Sequence, residues 1–288
     1  LNEAGQKSEN SVIFVPMNFS SNGKSRNVAS YRMGAPVEIP LVLLHGFCAD
    51  SDVWVGVCEG LGHTGQILID LPGFGQSDLP FVADMEDYAS AVVTVLKHHD
   101  IERCVLVGHS MGGYVALEFA ACYPERLAGL GLIHSHPYAD APERKDARRR
   151  AIEMLHAGKL DLYVSQFVPN LFAADNRNLL QPTVEAMVHL GQRQSAAALE
   201  MALTAMMNRK DRQETLAKAP YPVLFLLGQS DEVVPPELAM PAAQLPKMPI
   251  LHLLSGTGHL AMLESPDETV GILRDFWEKC VKIPPLNS

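Results

Sequence analysis

The chain has no paired cysteines. Its five, Cys48, Cys58, Cys104, Cys122 and Cys280, are widely spaced and form neither a CxxC pair nor a Cys/His ligand pattern. That argues against a zinc site and fits a reducing compartment. Cys104 and Cys122 stand in apolar runs and are expected as core thiols. No apolar stretch reaches the ~20 residues of a membrane helix. The opening LNEAGQKSEN is polar and has no hydrophobic region of the secretory kind. These absences predict a cytoplasmic protein without a membrane partner. Blocks of basic charge are also missing: the formal net charge is −10, and Arg148, Arg149 and Arg150 near Lys145 form the one basic cluster. It reads as a solvated helix face rather than an anion-steering patch. Nucleic acid is therefore not an expected partner. No Walker-type lysine follows a glycine-rich loop, and Gly73-Phe74-Gly75 has Asp78 where a dinucleotide fingerprint needs its third glycine. Internal repeats and low-complexity segments are absent.

What is present is ordinary globular material. With 288 residues, 47% hydrophobic and 19% charged, the chain can bury a sizeable core. Short apolar runs at 12–19, 28–33, 41–44, 66–70, 104–107, 127–133, 223–227 and 250–254 alternate with helix-length segments. Ser21-Asn22-Gly23 reads as a turn between the first two. Helices are expected at 52–61, 85–99, 111–123, 236–245 and 266–279. This is the signature of an α/β fold with a largely parallel sheet flanked by helices. The alternation breaks once, after Ile133. Segments 141–156, 160–167, 183–190 and 195–208 read as helices with no strand between them. The chain is therefore divided into a core of 1–136 and 219–288 and an all-helical lid inserted at 137–218. Met201, Met206 and Met207 in that insertion read as packing residues.

The strongest local signal is Gly108-His109-Ser110-Met111-Gly112-Gly113, which follows an apolar strand and opens a helix. A nucleophilic serine on so sharp a turn needs small neighbours two residues either side, and both are glycine. The helix behind it aims unpaired N–H groups and a positive dipole at the reacting centre. A serine hydroxyl is a weak nucleophile and needs a base. His259 stands on the glycine-flanked loop after the last strand, and Asp231 ends the strand at 223–227. The order Ser…Asp…His is that of one triad lineage, unlike chymotrypsin or subtilisin. For the developing oxyanion, the backbone N–H groups of Phe47 and Met111 are the expected donors, with His45 and Gly46 shaping the turn. His109 is expected to point away from the nucleophile and pack. Glu264 and Glu232 are weaker candidates for the acid, and Cys48 reads as a bystander. His134 and His136 alternate on a strand end, but no carboxylate lies near them in sequence, which disfavours a metal pair. His134, Val234 and Met262 are the expected substrate-pocket residues. His98 and His99 close a helix and read as structural.

At these residues the chain resembles the α/β-hydrolase superfamily, over roughly residues 28–277. His45-Gly46-Phe47 looks like its oxyanion loop, 70–78 like the loop after the next strand, and 108–113 like its nucleophile elbow. Asp231 with Val234-Pro235, and Gly258-His259, look like its acid and histidine loops. The resemblance is strongest to small lidded serine esterases and C–C hydrolases. Ser110, where haloalkane dehalogenases and epoxide hydrolases carry aspartate, argues against those two activities. The implied activity is hydrolysis of a small carboxylic ester through an acyl-enzyme, with no metal or organic cofactor. The partner is then a small-molecule acyl substrate. Alternatives are a C–C hydrolase, perhydrolase or acyltransferase on the same triad, or a ligand receptor on a hydrolase scaffold.

Overall fold

The computed structural model describes residues 12–18, 25–62 and 65–283. The turn expected at 21–23 lies outside them. Eight strands form one sheet: β1 (Val12–Asn18), β2 (Ser25–Met33), β3 (Leu41–Leu44), β4 (Gln66–Ile69), β5 (Cys104–His109), β6 (Leu127–Ile133), β7 (Val223–Gly228) and β8 (Pro249–Leu254). Their order is β1-β2-β4-β3-β5-β6-β7-β8. The first two pair antiparallel with each other, and β2 pairs antiparallel with β4; every later pairing is parallel. Strands β3 to β7 are buried along their whole length. That is why they appear in the sequence as continuous apolar runs without alternation.

The helices are α1 (Val55–Leu61), α2 (Met85–His98), α3 (Met111–Cys122), α4 (Pro142–His156), α5 (Leu160–Phe167), α6 (Asn176–Leu179), α7 (Gln181–Gln192), α8 (Ala196–Asn208), α9 (Gln213–Lys218), α10 (Pro236–Ala239), α11 (Ala261–Glu264) and α12 (Pro266–Val281). Between β6 and β7 the chain forms α4 to α9 and no strand. The helix expected at 236–245 is instead a single α-turn followed by a 3₁₀ turn at Met240–Gln244. Pro241 has no N–H to continue the ladder, so the α-helix stops there. Cys122 also departs from expectation. Cys104 is buried in β5, but Cys122 is exposed, because it is the last residue of α3. No helix of the described residues is long and apolar enough to cross a membrane.

This topology places the C-terminal ends of β3, β5, β6, β7 and β8 side by side. The loops leaving those ends carry every residue singled out above for chemistry.

Candidate active site

Ser110 sits between β5 and α3 with φ 51° and ψ −112°, a left-handed conformation that L-residues rarely adopt. Such strain costs about 1–3 kcal/mol and persists only where the surroundings enforce it. Here they do. Ser110 N–H donates to the Ile133 carbonyl at 2.8 Å, and the Ser135 hydroxyl donates to the Ser110 carbonyl at 2.9 Å. A Cβ on Gly108 would lie 2.1 Å from the Gly112 carbonyl oxygen, so only glycine lets the turn close.

His259 donates from Nδ1 to Asp231 Oδ2 at 2.7 Å, which leaves Nε2 as its basic nitrogen. Asp231 Oδ1 accepts from the Val233 and Val234 amides, both at 2.9 Å. Burial alone would raise the Asp231 carboxyl. The His259 charge and the hydrogen bonds from both imidazoles outweigh it and hold the group ionised, well below the usual carboxylate range. Ser110 and His259 line one cavity of about 60 Å³ without a hydrogen bond between them.

Met111 and Phe47, the expected backbone donors, stand on the turns after β5 and β3. Met111 is the first residue of α3, so its N–H has no intrahelical acceptor. Phe47 lines the cavity, and its turn is fixed by His45, which donates from Nδ1 to the Gly46 carbonyl at 2.8 Å and accepts the Leu71 N–H at Nε2, 2.9 Å. Burial lowers the His45 pKa, consistent with that neutral tautomer.

Of the three expected pocket residues, only Val234 lines the cavity. Met262 is buried in the core. His134 is fully buried, at φ 49°, and meets the acid from below: Nδ1 donates to Asp231 Oδ2 at 3.0 Å, and Nε2 accepts the Ala261 N–H at 3.2 Å. It is therefore a neutral imidazole holding the carboxylate, not a pocket wall. The carboxylate missing near it in sequence is supplied by the neighbouring strand. His134, Asp231 and His259 together bring ligand-type atoms within 4.8 Å of one another. Their hydrogen bonds already account for that closeness, since both Nδ1 atoms carry protons toward Asp231.

His109 also departs from expectation. It lines the cavity, packs tilted against the His259 ring with centroids 5.0 Å apart, and donates from Nε2 to the His259 carbonyl at 2.7 Å. Burial is the main cause that lowers its pKa well below the ordinary histidine value. Glu264 is not the acid. Its carboxylate accepts the Gly258, Leu260 and Ala173 amides at 3.1, 3.2 and 2.9 Å, clasping the His259 loop to the helical insertion. Glu232 turns outward to Arg177 at 3.6 Å. Cys48 is buried, and burial pushes its thiol pKa up, which fits a bystander. Sequence reading missed Arg144 and Arg148, both of which line the cavity. A larger hollow of about 730 Å³, lined by Ile39, Ile101 and Arg103, opens at the opposite end of the sheet and holds none of these groups.

A serine on a strained strand-to-helix turn, with a histidine and an acid at neighbouring strand ends, defines a hydrolase of the α/β type. The chain belongs to the Alpha/beta hydrolase family, whose profile it matches over residues 41–272, and it is an α/β-hydrolase enzyme. It is 28% identical to a 2-succinyl-6-hydroxy-2,4-cyclohexadiene-1-carboxylate synthase of Enterobacter sp. (strain 638), over 92% of this chain and 99% of that protein. Among solved structures, a thermophilic esterase from Thermogutta terrifontis, solved with malate bound, has a TM-score of 0.87 and 28% identity, covering 94% of this chain and 99% of that one. Other relatives are longer. The chain spans 63% of an acetyltransferase component of a Pseudomonas putida acetoin cleaving system and 47% of a Cellvibrio japonicus biotin biosynthesis protein, at 27% identity to each.

Proposed function

We propose that the protein is a serine esterase that cleaves a small carboxylic ester through an acyl-enzyme. The observation that carries this reading is the chain of contacts from Asp231 through His259 to the cavity that strained Ser110 lines. His259 Nε2 takes the Ser110 proton as Oγ attacks the ester carbonyl. The Phe47 and Met111 amides receive the oxyanion, each such donor contributing about 3 kcal/mol of transition-state stabilisation. The leaving alcohol takes the proton back from His259, and water enters by the same route to release the acid. Asp231 orients His259 and stabilises its imidazolium form, while His134 holds Asp231. No step requires a metal or organic cofactor.

We further read residues 137–218 as a lid over this cavity, with 1–136 and 219–288 as the core. The free cysteines support a reducing, cytoplasmic location for it. A cavity of about 60 Å³ is far below the ~300–1,000 Å³ of common ligand pockets, so substrate entry requires the insertion or its side chains to yield. A second reading keeps the triad and changes the bond cleaved. The relationship to the Enterobacter synthase supports it.

Purified protein should hydrolyse p-nitrophenyl butyrate with multiple turnovers, and Ser110→Ala should lower kcat by about 10⁴-fold or more. Equal rates in the two proteins would refute the assignment. Failure on esters with Ser110-dependent cleavage of a C–C substrate would favour the second reading.

A further inference from the structure

The cavity wall carries an imbalance of charge that ester hydrolysis does not need. Arg144 and Arg148, one helical turn apart on α4, both line it beside Ser110, and no carboxylate does. Three acids of this region are already engaged, and Glu143, next to Arg144, is exposed and is not among the residues lining the cavity. Asp140, nearly fully buried, is shared between Arg148 and Arg209. Asp146 pairs with Arg149, and Glu232 turns to Arg177. Among the described residues Arg144 meets only the Val233 carbonyl, at 2.6 Å. Of the two cavity-lining arginines, Arg148 pairs with one carboxylate, Asp140, which the buried Arg209 also holds.

Tyr114, on the same wall, adds a donor. His136 accepts the Tyr138 N–H at Nδ1, 3.2 Å, so its proton sits on Nε2, which lies 3.3 Å from the Tyr114 oxygen. His136 thus donates to Tyr114, and the phenol O–H is left to donate elsewhere. The local field agrees with this picture. Burial, joined by the charges on Arg209, Arg144 and Arg148, lowers the His136 pKa to about 3, with Asp140 alone opposing. The imidazole is neutral and takes no part in balancing the arginines. The wall offers cations and donors, and the rest of the cavity is largely apolar.

We propose that the natural substrate carries a carboxylate, bound by Arg144 and Arg148 with the Tyr114 hydroxyl, while its ester carbonyl lies at Ser110. Guanidinium is suited to planar, two-point recognition of a carboxylate, and a partly desolvated wall strengthens that contact. This inference rests on the serine-esterase reading, and names its substrate class.

The test compares mono-p-nitrophenyl adipate with its neutral counterpart p-nitrophenyl hexanoate. The account expects kcat/KM to favour the adipate by about tenfold at low salt, the size of one charge-assisted contact, and the preference to shrink as salt screens it. Arg144→Gln, an exposed position whose loss the fold tolerates, should cut the adipate-to-hexanoate ratio about tenfold, and Arg144→Lys should keep part of it. A ratio near one in the native protein, or a variant that slows both esters equally as a mere latch would, overturns the proposal while leaving the esterase reading intact. Binding is judged separately by calorimetry of monomethyl adipate on the Ser110→Ala protein. Saturable binding there that Arg144→Gln weakens supports the anion site even if no ester is turned over, an outcome that would fell the esterase reading alone. No binding and no preference would fell the anion site.

Discussion

Asp231 carries four hydrogen bonds, two on each oxygen, and His134 supplies the one that a triad does not require. The His134 hydrogen bond helps hold the Asp231 carboxyl down and fixes the oxygen that His259 meets. His134→Ala is expected to lower kcat about tenfold with little change in KM. His134→Gln, which can donate to Asp231 and accept from Ala261, should restore most of kcat. A lower melting temperature with unchanged kcat would mean that His134 is only core packing. The strand-end placement of Ser110, Asp231 and His259 was legible because each is a reactive type just after an apolar run, with glycine beside or near it. The part played by His134 was not. It depends on β6 lying next to β7, and on a left-handed backbone at His134 that turns the ring under the neighbouring strand's carboxylate. Residue spacing contains neither fact. His109 was misread for a similar reason: its ring turns toward the His259 loop, which is 150 positions further along the chain.

The loops at the strand ends are held by contacts that cross between elements. The Glu264 carboxylate collects three backbone amides, from both sides of His259 and from the helical insertion, and Asn176 adds a side-chain donor at 2.8 Å. His259 N–H closes the same seam by donating to the Leu171 carbonyl at 2.7 Å. Glu264→Ala leaves those amides without their acceptor and should cost roughly 2–3 kcal/mol. Urea denaturation should show a lower midpoint at unchanged slope; an unshifted midpoint would show that the clasp contributes nothing. Most elements were legible because buried parallel strands appear as unbroken apolar runs and the helices between them as longer amphipathic ones. β3 and β6 fall where the runs do. The stretch from 236 was overextended because apolar content was weighed above Pro241. α6 and α9 were missed, being one or two turns long and too short to show a period.

For the whole molecule, the parallel sheet is what makes three distant loops one site. Five strand ends arrive at a single edge, and residues separated by more than a hundred positions come to line a cavity of about 60 Å³. The class of fold could be read from the alternation of runs and from the order of the reactive residues. The docking of α4 could not be, so Arg148 passed for part of a solvated face although it lines the cavity beside Ser110 and pairs with buried Asp140. The central claim is that Ser110 is a nucleophile activated by His259. Intact-protein mass spectrometry after exposure to a fluorophosphonate tests it most directly. The account predicts one phosphonyl adduct, mapped to Ser110 by peptide sequencing and lost in His259→Ala. An unlabelled native protein, or an adduct that forms equally well without the histidine, would contradict it.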